Sequence, residues 1–103
     1  MLGESRRPGA VDDQLIAQCG SMADAVLLCV HLSRFSNAHI CGELGIDPGH
    51  WSRIMQGRAH FQLNKLQMLM ELAGNLAPLQ FLMARNGLRV PAPAIGFRNA
   101  EAA

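Results

Sequence analysis

Tyrosine is absent from this chain of 103 residues, tryptophan occurs once and phenylalanine four times. Strands draw on aromatic and β-branched side chains, so a composition rich in Leu, Ala and Met points to packed helices instead. Long apolar runs are missing too. None approaches the roughly 18 residues a membrane span needs, so no membrane partner is expected. Arg6 and Arg7 are followed by no apolar stretch. The N-terminus therefore does not read as a signal peptide, and a cytoplasmic location is expected. Cys19, Cys29 and Cys41 form no CxxC pair and no zinc pattern. They read as reduced, buried small residues, because free cysteine behaves as a small hydrophobe. His39 and Cys41 lie two apart without a second pair to complete a tetrahedral metal site, so no metal and no cofactor is expected. No Ser/His/Asp order, phosphate loop or carboxylate pair is visible, and the chain does not read as an enzyme.

What is present is a large apolar share, 50% of the residues, in a length that suits one domain with a modest core. The net charge is only +1, but it is unevenly spread. Residues 1–47 set three arginines against six acids, a net of −3, and residues 48–103 set six cations against two acids, a net of +4. Residues 48–70 contain no acid at all. A surface meant to face phosphates needs such a bias.

Punctuation residues divide the chain into short helices. Residues 1–10, with Pro8-Gly9, read as a loose arm. Asp12 and Asp13 open a helix that runs through Cys19 and is closed by Gly20. Ser21 suits the N-cap of the next, MADAVLLCVHLSRF, with Asp24 giving a capping-box look. The spacing of Ala25, Leu28, Cys29 and Leu32 predicts its buried face. Ser36 or Asn37 caps AHICGELG, and Pro48 fits the first turn of the helix after it. Leu63–Ala73 carries Leu66, Leu69, Met70 and Ala73 on one face and ends at Gly74-Asn75. A last helix is expected over Ala77–Asn86, with Pro78 in its first turn and Gly87 as its stop. Residues 89–103 read as a flexible tail with two prolines, VPAP, and little pattern. The expected fold is all-α, a compact bundle of five to six short helices over residues 11–88.

Within that bundle, residues 37–57, NAHICGELGIDPGHWSRIMQG, are the most telling. Two short helical patterns flank Gly45-Ile46-Asp47. A small residue, Cys41, stands where the two helices cross, and a bulkier one would wedge them apart. Gly45 ends the first helix, where a left-handed residue is wanted. Ile46 plugs the corner from inside. Trp51 and Ile54, three apart, face inward, which leaves Pro48, Gly49, His50, Ser52, Arg53 and Gln56 outward. The major groove of DNA has room for a helix presented in this way.

The series Asn37, Cys41, Gly45, Trp51, Ser52-Arg53-Ile54, Gly57, then Leu63, Leu66 and Leu69 resembles the lambda-repressor/Cro-like, or XRE-like, family of helix-turn-helix regulators. The resemblance covers roughly residues 21–76. It departs from the usual pattern in having no glutamine at Asn37 or Pro48, a cysteine in place of the usual alanine at Cys41, and an unusually large side chain at Trp51. It implies a central helix-turn-helix whose second helix reads bases. Pro48, Gly49, His50, Ser52 and Arg53 are the base-contact candidates, and Arg53 is the best placed for a bidentate contact with guanine. Asn37, Gln56, Arg58 and His60 are the phosphate-contact candidates, Asn37 aided by the helix dipole.

The expected function is that of a sequence-specific transcriptional regulator, a repressor of prokaryotic or phage type. It would bind a palindromic operator in double-stranded DNA as a homodimer, with no small-molecule effector. Leu79, Phe81, Leu82 and Met83 of the last helix are the candidate dimer surface. The alternative is a protein-interaction module, an antitoxin or adaptor, in which the helix-turn-helix is architectural.

Overall fold

Most helices in this protein start where a side chain can close their open N–H groups. In the computed structural model, which describes residues 8–89, α1 spans Asp13–Ala17, α2 Met22–Ser33, α3 Asn37–Leu44, α4 Pro48–Met55, α5 Leu63–Ala73 and α6 Ala77–Arg85. Asp12 caps α1 by accepting from the Gln14 N–H (2.9 Å), and Ser21 caps α2 by accepting from Asp24 (3.2 Å). Asp24 reaches back to the Gly20 N–H (2.8 Å), one residue earlier than a capping box requires. Ser36, not Asn37, caps α3, accepting from His39 (3.0 Å). Asp47 caps α4 through both Gly49 (2.9 Å) and His50 (3.2 Å), and Pro48 occupies the first turn. No strand is present among the described residues, and the protein is an all-α bundle.

Helix α2 is the centre of the bundle. It packs against α4, α5 and α6, while α3 packs on α4 and α5, and α1 on α6. Ala25, Val26, Cys29 and Val30 are its buried residues. The face expected from spacing, with Leu28 and Leu32, is thus corrected by a rotation: Leu28 is half-buried and Leu32 exposed. Apolar residues lie nearly all round α2, so period alone does not choose among its stripes. The core continues through Ile40, Cys41 and Leu44 of α3, Trp51 and Ile54 of α4, Leu69 and Met70 of α5, and Ala77 and Phe81 of α6. Leu66 and Ala73 are half-buried, so α5 presents the face expected of it. Cys29 and Cys41 are buried and Cys19 half-buried. Burial pushes the Cys29 thiol up to about 12, so it stays protonated at neutral pH and behaves as a small core residue.

The segment before α1 is tied down at Gly9. Its N–H donates to the Gly74 carbonyl (3.0 Å), and its carbonyl accepts from Leu76 (2.9 Å). The expectation of a loose arm is therefore corrected at this point; residues 1–7 lie outside the described residues. Gln80 completes the attachment. Buried on α6, it accepts from the Val11 N–H (2.6 Å) and donates to the Val11 carbonyl (2.8 Å), satisfying both ends of its amide. Of the tail expected over residues 89–103, only Arg89 is described, 3.4 Å from Asp13.

Candidate nucleic-acid interface

Three residues join α3 to α4, and each has a separate task. Gly45 caps α3 with φ 67°, and its N–H and that of Ile46 both return to the Cys41 carbonyl. A Cβ at Gly45 would lie 3.5 Å from Lys65 Nζ, an ordinary contact. Glycine is needed here for its backbone conformation, not for space. Ile46 turns into the core. Asp47 closes the N-terminus of α4 as described. The other end of the corner is held by Lys65 of α5, whose ammonium donates to the Leu44 carbonyl. A cation at a helix C-terminus also meets the negative end of the dipole. In the sequence Lys65 counts only as basic charge, and no motif reveals this contact.

Trp51 and Ile54, each 4% exposed, hold α4 against the core. The Trp51 and Phe61 rings pack edge to face, 5.9 Å between centroids. Its indole N–H donates to Asn37 Oδ1 at 3.2 Å. This bond ties α4 to the first turn of α3 and orients the Asn37 amide. Asn37 is exposed, and its Nδ2 has no partner among the described residues, so a donor is left at the surface beside the α3 N-terminus.

The outward side of α4 is a stripe at i, i+3, i+4 and i+7: Gly49, Ser52, Arg53 and Gln56, all exposed. Gln56 donates to Ser52 Oγ (3.3 Å) and accepts from Arg58 (3.2 Å), so these three form a short chain along its far half. No ion pair holds Arg53 or Arg58 among the described residues. A Cβ at Gly49 would stand 3.0 Å from the Asp47 carboxylate, so glycine there leaves room for the cap. Pro48 is exposed at the near end and His60 beyond the far end. His50 is half-buried and lines a hollow with Lys65 and Phe61, on the flank that faces α5. It stands beside the stripe rather than in it.

The residues named for a dimer surface divide. Leu79 and Leu82 are exposed and Met83 half-buried, but Phe81 is 7% exposed and belongs to the core, with the Arg85 guanidinium 5.3 Å from its ring centre. Neighbours on one helix cannot all face out: Phe81 lies one turn after Ala77 on the buried side of α6. Other large apolar residues are exposed instead on α2, namely Leu27 and Leu32, followed by Phe35.

The chain matches no family model, no curated protein and no solved structure. Among the described residues no three His, Cys, Asp or Glu side chains gather closely enough to hold a metal ion. No helix of the described residues is long and apolar enough to cross a membrane.

Proposed function

We propose that this protein is a sequence-specific DNA-binding regulator of transcription that lays α4 in the major groove. The observation that carries this reading is the α4 stripe. A two-turn helix held from inside by Trp51 and Ile54 offers Ser52, Arg53 and Gln56 outward, with Arg53 free of any acid partner among the described residues. The resemblance of residues 37–57 to the lambda-repressor/Cro-like family agrees with it. Arg53 reads guanine through O6 and N7, and Ser52 contacts a neighbouring base or phosphate. Asn37 Nδ2 and Arg58 hold the backbone on either side of the groove and fix the register.

One helix reads only a few base pairs, so the protein acts as a homodimer on a palindromic operator, with half-sites about 34 Å apart. Occupancy alone represses transcription, and the reading requires neither catalysis nor a small-molecule effector. A second reading, as a protein-interaction module of the antitoxin or adaptor kind, is favoured by one observation: the exposed Leu27, Leu32 and Phe35.

Selection of random duplexes on the purified protein tests the first reading, and a palindromic consensus is expected. Arg53→Ala weakens that consensus about 10- to 100-fold and leaves the melting temperature unchanged. Arg58→Ala weakens all sequences alike and lowers the salt slope by about one. No enrichment of any duplex, or full specific binding by Arg53→Ala, removes the groove assignment.

A further inference from the structure

Helix α2 buries one side and leaves a second apolar strip in water. Leu27 is 50% exposed, and Leu32 and Phe35 are 40% exposed each. With Leu28 and His31 they line a broad groove bounded by α1. Large apolar side chains grouped in water in this way are a surface that a partner can cover. The strip is also polar at its ends and opposite in sign there. Asp24, in the first turn of α2, and Arg34, its C-cap, line the same groove. They stand ten residues apart, which is about 15 Å along a helix axis.

We propose that a second copy of this chain docks on this strip, with the two α2 helices antiparallel about a two-fold axis. A two-fold at the level of residue 29 sets Asp24 of each copy opposite Arg34 of the other, and Leu27 opposite His31. The contact is thus self-complementary, as an isologous interface must be. Each copy covers the other's Leu27, Leu28 and Phe35, and two charge pairs close the ends of the seam and set its direction. The backbone at Arg34 supports a use for its side chain. It has φ 66°, a conformation that glycine fills at Gly45 and Gly74, the other helix ends capped this way. A side chain is disfavoured in that conformation, so the arginine stands there against a local steric cost that glycine would avoid. The inference rests on the DNA reading for why two copies serve a function, and on α2 alone for where they meet.

Sedimentation velocity of the full chain without DNA tests the interface, with far-UV circular dichroism confirming that each variant folds. The parent protein sediments as a dimer. Leu27→Glu, which acts twice in a symmetric contact, raises the dissociation constant at least about 30-fold. Asp24→Arg and Arg34→Asp each raise it about tenfold, and the two together return it to within about threefold of the parent. Leu82→Glu on α6 leaves it unchanged. A parent that stays monomeric, a dimer that survives Leu27→Glu, a double swap without recovery, or dissociation by Leu82→Glu overturns the proposal. A DNA-free dimer that enriches no duplex leaves this interface standing and removes the DNA reading. A monomer that enriches a consensus does the reverse.

Discussion

Helices α4 and α2 both bury one face in the same core, yet they present opposite chemistry to water. The outer stripe of α4 is Gly49, Ser52, Arg53 and Gln56, short or polar side chains with a cation in the middle. The outer strip of α2 holds Leu27, Leu28, His31 and Leu32 between charges of opposite sign, and Phe35 follows it. A polar stripe whose arginine has no acid partner among the described residues is suited to hydrogen-bonding base edges and phosphates. An apolar strip is suited to excluding water against another protein surface. The two proposals thus assign two recognition tasks to two helices of one small bundle, and each can be disturbed without the other.

The most disruptive way to break the comparison is to remove what holds α4 in place. Trp51→Ala empties a core position and cuts the indole bond to Asn37. A loss of about 3–5 kcal/mol in chemical denaturation is expected, with DNA binding lost alongside because α4 is no longer anchored. A loss below about 1 kcal/mol would mean that α4 is held by something other than this ring.

Lys65 sharpens the contrast between a cation that builds the corner and the cations proposed to face DNA. Lys65→Met should cost about 1–2 kcal/mol, since the Leu44 carbonyl loses a charged donor. The salt slope of DNA binding should stay at the parent value, whereas Arg58→Ala lowers it. A change in slope with Lys65→Met would place this ammonium on phosphate instead of on α3.

Arg34→Gly separates folding from association on the α2 side. It relieves the left-handed backbone and should stabilise the monomer by roughly 1 kcal/mol. The same change removes one of the two charges at each end of the proposed seam, so self-association is expected to weaken while the melting temperature of the dilute protein rises. If both fall together, the side chain supports the fold itself.

Much of the α4 side is legible in the sequence. The proline turn at Pro48, the glycine at Gly45 and the inward pair Trp51 and Ile54 all stand where their chemistry predicts. In α4 a single apolar stripe runs along an otherwise polar helix, so only one rotation is acceptable. The α2 side is not legible in the same way. Leu28 and Leu32 fit a buried face by spacing as well as Val26 and Val30 do, and only the packed neighbours decide between them. Phe81 escapes sequence reasoning for the same cause: among Leu79, Phe81, Leu82 and Met83, composition does not say which one is buried.

The sequence by itself determined that the fold is helical, where most helices begin and end, and which way α4 faces, because caps, turns and a clear amphipathic period are local properties of the chain. Only the tertiary structure decided which stripe of α2 is core, that Gln80 and Gly9 tie down the segment before α1, that Lys65 closes the corner, and that Trp51 orients Asn37. These are contacts between residues 14 to 69 positions apart. No local propensity encodes such pairings, and they form only when the whole core comes together.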